Sequence, residues 1–245
     1  MRRIKLTIAY DGTGYCGWQK QDGAITVAET VENAIRKLTG ESVELLGASR
    51  TDSGVHAMGN VAVFDTESPV PADRFVPALN SFLPDDIRIA ASEEVPESFH
   101  PRFDAHKKRY EYRIFVGNVC PPMRFRYVHH LREALDVDSM REAASHIVGT
   151  HDFSSFCAAG AQVKTKVRTV TDIQVTKDGD EIVLTVEGDG FLYNMIRIIA
   201  GTLVNVGLGR TKPSEITGII EGMDRSLAGP TLPAKGLCLC KIWYS

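Results

Sequence analysis

The 245-residue chain contains no long hydrophobic run. No stretch approaches the roughly 20 apolar residues that a membrane-spanning helix needs, so the sequence predicts a soluble protein with no membrane partner. A signal or transit peptide is not expected either, because the alternating pattern of a strand begins close to Met1. We therefore expect a cytoplasmic protein that folds as one large domain or two small ones.

Cysteine is scarce, and its spacing does not suit a metal site. Among the five cysteines only Cys238 and Cys240 stand close together, and no second pair has the spacing of zinc ligands. This pattern predicts buried free thiols in a reducing compartment and no bound metal. A nucleotide cofactor is not expected either, since the helix that should follow a dinucleotide-binding motif at once is missing after Gly12-Thr13-Gly14.

The chain as a whole has no excess of positive charge, since its net charge is −3. Its distribution is uneven, because eight Lys or Arg residues between His100 and Arg132 stand against two acidic residues, a net charge of +6. Aromatic residues alternate with these cations, a combination that suits stacked bases and phosphates but also occurs on solvated surfaces. The candidates for contact with a nucleic-acid backbone are Lys107, Lys108, Arg109, Lys164, Lys166 and Arg168.

Apolar periodicity predicts the same order of elements twice. In the first half we expect strands at 5–10, 43–46, 60–64 and 87–92 and helices at 27–38 and 73–81, with Thr26 and Gly40 at the ends of the first helix. In the second half we expect strands at 109–116, 168–176, 182–187 and 237–244 and helices at 138–148 and 191–206. Both halves follow the β-α-β-β-α-β order of ferredoxin-like units. The prediction is an α+β fold of two ferredoxin-like halves, residues 1–98 and 99–245, with mainly antiparallel sheets and a central active-site cleft.

The polar run from Gly47 to Ala57 connects two predicted strands and carries a candidate carboxylate. Asp52 stands two residues from Arg50, and a carboxylate kept ionised by a nearby cation acts as a nucleophile or a base. A structural hairpin loop with a surface ion pair has the same composition. Arg197 is the one charged residue of the apolar 191–206 segment, and a buried guanidinium requires an anionic partner unless it reaches solvent.

Four blocks of sequence, in the same order, resemble the tRNA pseudouridine synthases of the TruA family. They are YDGTGYCGWQ at 10–19, RTDSGVH at 50–56, FHPRFDA at 99–105 together with RYEYR at 109–113, and NMIR at 194–197. The resemblance covers essentially the whole chain. Ser53, where the family commonly has alanine, and Pro101 are conservative departures.

The resemblance implies the pseudouridine synthase fold and a cofactor-free isomerase. Its substrate would be uridine at positions 38, 39 and 40 in the anticodon arm of tRNA. Asp52 would act on a flipped-out uridine, Arg197 would keep Asp52 ionised, and Tyr110 would stack on the uracil. Attack at C1′, attack at uracil C6 and abstraction of the ribose 2′ proton all stay open for Asp52.

The same resemblance implies roles for two neighbours and for a second copy of the chain. Arg50 would fill the space that the flipped base leaves or hold its phosphate, and His56 would contact RNA. Family members act as homodimers. Two alternatives remain: a non-catalytic RNA-binding module, which has no use for Asp52 or Arg197, and an aspartate-dependent hydrolase for a small molecule, which has no need of the basic segment.

Overall fold

The computed structural model describes residues 1–160 and 163–244, and the chain divides into two compact units. Unit 1 consists of Met1–His106 and Cys238–Ser245, and unit 2 consists of Lys107–Leu237. Both units combine helices with mainly antiparallel strands, so the predicted mixture of helices and strands is confirmed. Within the described ranges, no helix is both long enough and apolar enough to cross a membrane.

Unit 1 is built around a sheet that contains both ends of the chain. Its elements are β1 (Arg2–Tyr10), α1 (Val27–Thr39), β2 (Leu46–Gly47), β3 (His56–Thr66), α2 (Phe75–Asn80), β4 (Ile87–Val95) and, from the end of the chain, β10 (Leu237–Tyr244). The strand order is β4-β1-β3-β10, and β2 pairs with β3. β1 runs antiparallel to β3 and β4, whereas β10 runs parallel to β3.

The start of unit 1 follows its sequence pattern closely. Ile4, Leu6 and Ile8 alternate along β1 and are fully buried, because alternate side chains of a strand share one face. Helix α1 begins where predicted, since the Thr26 hydroxyl accepts a hydrogen bond from the Glu29 N–H at 3.4 Å. It ends at Gly40, which adopts a left-handed conformation (φ 78°).

The strand predicted at 43–46 is wrong in its extent, because β2 comprises only Leu46–Gly47. The N–H of Leu45 donates to the carboxylate of Glu32 on α1 at 2.9 Å, so this backbone bonds to a helix side chain instead of a neighbouring strand. β3 is longer than predicted and begins at His56. The loop between β2 and β3 is therefore short, and a strand of the sheet flanks it at each end.

Unit 2 is built around a second set of paired strands. Its elements are β5 (Ala105–Val116), β6 (His129–Leu131), α3 (Val137–Ser145), β7 (Gly149–Asp152), β8 (Val167–Asp178), β9 (Glu181–Gly188), α4 (Met195–Gly207) and α5 (Ile216–Glu221). The strand order is β5-β9-β8-β7, with β6 parallel to β5. The predicted hairpin is confirmed, since β8 and β9 are antiparallel and Gly179 at their turn has φ 56°.

Two helices of unit 2 are shorter than predicted. The apolar pattern predicts a helix from residue 191, but Asn194 adopts a left-handed conformation (φ 61°), and α4 starts at Met195. Helix α3 ends at Ser145, before the predicted end at residue 148. The strands β6 and β7 are not predicted by the sequence at all, because three or four residues give too little alternation to be recognised.

Candidate active site

The loop that carries Asp52 spans residues 48–55, between β2 and β3 of unit 1. Its side chains differ sharply in exposure. Ser49 and Thr51 are buried, at 6% and 8% exposure. Arg50 is exposed and Asp52 is half-buried. The loop therefore directs a cation toward solvent and holds its carboxylate at the boundary between protein and water.

Buried hydrogen bonds connect this loop to the sheet. The hydroxyl of Tyr10, at the end of β1, lies 2.7 Å from Oγ1 of Thr51. The carboxamide of Asn60 on β3 is fully buried and donates to the Ser49 carbonyl at 3.1 Å and to the Tyr10 hydroxyl at 3.3 Å. The loop before Asp52 is thus bonded to two strands, through Thr51 to β1 and through Ser49 to β3, which limits how far it can move.

The segment that follows β1 also packs against the loop. The N–H of Trp18 donates to the Thr51 carbonyl at 3.0 Å, and the Ser53 hydroxyl donates to the Tyr15 carbonyl at 3.2 Å. A Cβ on Gly12 would lie 2.0 Å from the carbonyl oxygen of Val55. The glycine in this segment therefore allows two backbones to approach closely, a purpose unrelated to nucleotide binding.

His56 lies in a buried position as the first residue of β3, at 6% exposure. Its Nδ1 accepts a hydrogen bond from the N–H of Gly12 at 3.1 Å and lies 3.1 Å from Oδ1 of Asp11. The sequence places His56 in the polar loop, whereas the structure places it on the sheet. Its contacts connect the segment after β1 to the end of the Asp52 loop.

Arg50 borders a groove on unit 1. The cavity has a volume of about 550 Å³, and Trp18, Leu45 and Gly47 form part of its wall. Gly47 packs on the indole of Trp18 so closely that an added Cβ would lie 2.4 Å from the ring nitrogen. The predicted candidates Asp52, Arg50 and His56 thus lie in one region of unit 1, which is held by buried hydrogen bonds and close packing.

Tyr110 and Arg197 lie in unit 2. Tyr110 is on β5 opposite Val186, is 9% exposed, and meets the ring of Phe191 edge-on at a centroid distance of 5.4 Å. Arg197 lies on α4 and is half-buried. Its Nε donates to the Leu232 carbonyl at 2.6 Å, and its Nη1 donates to the Asn194 carboxamide at 2.7 Å. These bonds fix the plane of the guanidinium.

Ion pairs neutralise part of the basic segment. Glu187 on β9 accepts from Lys107 at 2.9 Å and pairs with Arg109 at 2.5 Å. Burial raises the pKa of Glu187, but the hydrogen bonds from both cations outweigh it, and the pKa lies below its ordinary value. Glu181 of the same strand pairs with Arg113 and Arg124. The count of charges between His100 and Arg132 does not include Glu181 and Glu187, because β9 is far away along the chain.

The remaining backbone candidates differ in exposure. Lys164 and Lys166 are exposed, whereas Lys108 and Arg168 are half-buried. Arg168 donates to the carbonyls of Thr165 and Val167, at 3.0 and 2.6 Å. Lys164 and Lys166 are therefore more accessible to solvent than the other four candidates.

The cysteines do not form one buried class. Cys157 is buried, and burial raises the pKa of its thiol, but Cys16 is exposed and the other three lie between these extremes. The prediction of buried thiols is therefore wrong for Cys16, which follows β1 on a surface segment. In the part of the chain that the structure describes, no group of three or more His, Cys, Asp or Glu side chains is placed to hold a metal ion.

Sequence reasoning misses three residues that hold the candidate carboxylate in place. Tyr10, Thr51 and Asn60 form the buried network beneath the Asp52 loop. One signal was available for Asn60, since it is a polar residue beside the apolar run of β3. A buried carboxamide needs partners, and its partners here lie on another strand and in the loop.

Comparison with known proteins finds matches along most or all of the chain. A chain in a crystal structure of a Cbf5-Nop10-Gar1 complex aligns with 96% of this chain and 48% of its own length, at 12% identity and a TM-score of 0.38. The tRNA pseudouridine synthase A of Acetivibrio thermocellus is 51% identical over 244 residues, and that of Brevibacillus brevis is 48% identical over 244 residues. Both alignments cover 100% of this chain and 100% of the relative. The profile of the tRNA pseudouridine synthase family matches residues 6–104 and 143–245. The chain therefore belongs to the tRNA pseudouridine synthase family and is an enzyme, an isomerase.

Proposed function

We propose that this enzyme converts uridine to pseudouridine at positions 38, 39 and 40 in the anticodon stem-loop of tRNA, with Asp52 as the nucleophile. Its family membership makes it an isomerase of uridine in tRNA, and the positions and the nucleophile are the finer proposal. The observation that carries it is the placement of Asp52. This carboxylate is half-buried on a loop whose neighbouring residues, Thr51 and Ser53, are hydrogen-bonded to the end of β1 and the segment after it.

The reaction balances without a redox cofactor or a phosphate donor. The bond from ribose C1′ to uracil N1 breaks, the base turns, a bond from C1′ to C5 forms, the C5 proton leaves and N1 gains a proton, so that the product is an isomer of the substrate. An ionised Asp52 serves this sequence by attack at C1′, by attack at uracil C6, or by removal of the ribose 2′ proton. A fixed carboxylate supports each of these routes, because it holds the reacting atoms in place.

The target uridine must leave its stack to reach a carboxylate at the protein surface, at a cost of a few kcal/mol. We assign Arg50 to the space that the base vacates or to the flipped nucleotide's phosphate. Its exposure beside the half-buried Asp52 supports this role. His56 is the second proposed RNA contact of this loop, although its buried contacts with Gly12 and Asp11 favour a local role.

Arg197 is the proposed ionising partner of Asp52. A guanidinium does not lose its proton in proteins, and the two hydrogen bonds that fix its plane prepare it for a charge-assisted pair. Tyr110 is proposed to stack on the uracil and hold its plane during rotation. Its ring lies at a strand position packed edge-on against Phe191, which supports a fixed orientation.

The fold and assembly proposals extend the family assignment. We assign residues 1–98 and 99–245 to two ferredoxin-like halves, the first carrying the Asp52 loop and the second carrying Tyr110 and Arg197. The order β4-β1-β3-β2 supports this for the first half, and the element order β5-α3-β8-β9-α4 supports it for the second. The strand expected to complete the second half, β10, belongs instead to unit 1, where it pairs with β3. The active enzyme is proposed to be a homodimer.

The RNA backbone is proposed to contact the basic residues of unit 2. Among them Lys164 and Lys166 have the strongest support, because both are exposed. Lys107 and Arg109 must share their charge with Glu187, so each is expected to contribute less than an unpaired cation. Lys108 and Arg168 complete the proposed set.

Tritium release tests the proposal directly. Full-length tRNA transcripts labelled at uracil C5, each with a single uridine replaced at position 38, 39 or 40, are incubated with the wild type and with Asp52→Asn. Release that falls with each replaced position and disappears in Asp52→Asn, while tRNA binding is retained, is the expected result. Binding without release in the wild type would instead support an RNA-binding module, whereas the absence of both release and salt-dependent tRNA binding would favour a small-molecule hydrolase.

A further inference from the structure

We propose that the groove on unit 1 binds the RNA strand beside the target uridine, with Arg50 and Arg102 on its phosphates and Phe103 stacked on a base. This inference rests on the proposed function and extends it, because it names a surface along which the RNA runs. The groove lies next to the Asp52 loop, since Arg50 forms part of its wall.

The charge of the groove favours an anionic ligand. Its cations are Lys20, Arg50 and Arg102, and its acidic residues are Glu32 and Glu44. Glu32 is already engaged, because it accepts a backbone hydrogen bond at 2.9 Å and lies 3.9 Å from Lys20. Among residues 1–160 and 163–244, neither the Arg50 nor the Arg102 guanidinium has a hydrogen bond or an ion pair, so both are available to phosphate oxygens.

A rigid turn presents Arg102 and Phe103. The Nδ1 atom of His100 accepts hydrogen bonds from the N–H groups of Arg102 at 3.1 Å and of Phe103 at 3.2 Å. The carboxylate of Asp104 accepts from the N–H of His100 at 2.8 Å. Because the backbone of this turn is held by its own side chains, little ordering is required when a ligand binds.

The turn is also anchored to the sheet of unit 1. The Tyr244 hydroxyl on β10 donates to the carbonyl of Pro101 at 2.7 Å. The ring of Tyr244 lies 5.0 Å from that of Phe99, and the ammonium of Lys5 on β1 lies 5.3 and 5.4 Å from the two ring centroids. The turn therefore keeps its position relative to the strands that hold the Asp52 loop.

Phe103 has the properties of a stacking platform. Its side chain is 77% exposed, so burial does not account for an aromatic residue at this position. Its ring lies 4.2 Å from that of His100 in a tilted pair with an interplanar angle of 31°, so one of its faces is in contact with the imidazole. Aromatic side chains beside a cationic groove are the arrangement that binds single-stranded nucleic acid without sequence preference.

Salt-dependent binding of a tRNA transcript tests the two contacts separately. For Arg102→Gln we expect affinity about fivefold weaker and a slope of log Kd against log salt that is smaller by about one, because one phosphate contact is lost. For Phe103→Ala we expect affinity about tenfold weaker with an unchanged slope, since stacking releases no counterions. Arg102→Lys keeps the charge and is expected to keep the slope.

Matched controls use residues of unit 1 outside the groove. Arg74→Gln removes another exposed cation, and Phe82→Ala removes another exposed aromatic ring. Equal affinity and slope for Arg102→Gln and Arg74→Gln, or equal affinity for Phe103→Ala and Phe82→Ala, would overturn the groove proposal. Tritium release by the wild type is measured in the same preparation. Its absence contradicts the proposed function, whereas normal release with unaffected groove variants contradicts only the groove.

Discussion

The hydroxyl of Tyr10 lies 2.7 Å from Oγ1 of Thr51, and this contact joins the end of β1 to the residue that precedes Asp52. Both residues are buried, at 5% and 8% exposure. A hydrogen bond at such a site stabilises the fold by about 1 kcal/mol, and a buried group deprived of its partner costs more. The geometry of the candidate carboxylate therefore depends on a hydrogen bond between two buried side chains beneath the loop.

Thr51→Val is expected to lower kcat about tenfold or more while changing the KM for tRNA less than twofold. The substitution keeps the shape of the side chain but removes the oxygen beside Tyr10, which permits Asp52 to leave its productive position. Thr51→Ser retains the hydroxyl and is expected to retain most of the activity. Steady-state tritium release measures both parameters, and equal kcat values for the two variants would contradict a positioning role for this hydroxyl.

Asn60→Leu is expected to lower the free energy of unfolding by about 1–3 kcal/mol. The substitution conserves volume approximately but removes the hydrogen bonds that the buried Asn60 carboxamide donates to the Ser49 carbonyl and the Tyr10 hydroxyl. Urea denaturation followed by circular dichroism measures the change. Asn33→Leu on α1 is the matched control, because the half-buried Asn33 carboxamide accepts a hydrogen bond from Arg36 at 2.8 Å. An equally large loss there would show that the effect does not come from burial.

Asn194 allows backbone strain and side-chain contact to be separated. Asn194→Gly keeps the left-handed conformation and loses the carboxamide that accepts from Arg197, whereas Asn194→Ala loses the carboxamide and adds strain of about 1 kcal/mol. We expect both variants to lower kcat several-fold and only Asn194→Ala to lower the unfolding free energy. If only Asn194→Ala lowered kcat, together with its unfolding free energy, while Asn194→Gly kept its activity, Asn194 would have a purely structural role.

The ion pairs of Glu187 predict a loss of stability in acid. The pKa of this carboxyl is lowered in the folded protein from its ordinary value of 4.5, so its stabilising contribution is present above that pH. The contribution is lost as pH falls through the folded pKa. Glu187→Gln is expected to be about 1 kcal/mol less stable than the wild type at pH 7, with the difference shrinking below pH 4.5.

Urea denaturation at pH 7, 5, 4 and 3.5 checks the acid prediction. Glu221→Gln, at an exposed position of α5, serves as the control for loss of one negative charge. A difference between the wild type and Glu187→Gln that stays constant over this range would exclude Glu187 as a source of the acid sensitivity.

Local signals in the sequence predict the elements that local chemistry determines. Helix α1 is correct to within one residue because Thr26 and Gly40 cap it, and β1 follows from the alternation of its apolar residues. Helix α4 begins later than predicted because Asn194 turns the backbone to positive φ, which hydropathy does not register. Boundaries set by one backbone angle are lost in a pattern averaged over several residues.

Long-range contacts explain what the sequence misses at the candidate site. The loop that carries Asp52 is evident from its composition, but its supports come from Tyr10 and Asn60, on two different strands. Glu187 reduces the basic character of Lys107 and Arg109 from a strand about 80 residues further along the chain. No local window contains both members of such a pair, so a charge count along the chain overestimates the positive surface.

The close approach of Gly12 to Val55 has a consequence for engineering. The segment after β1 and the Asp52 loop are separated by about 40 residues in the chain, yet a single added methyl group on Gly12 would collide with the loop backbone. The two segments therefore behave as one interchangeable part. A chimera that takes the Asp52 loop from a relative should also take the segment of that relative that corresponds to residues 10–18. Either segment alone would lie against a segment from the other protein, whose shape is not matched to it.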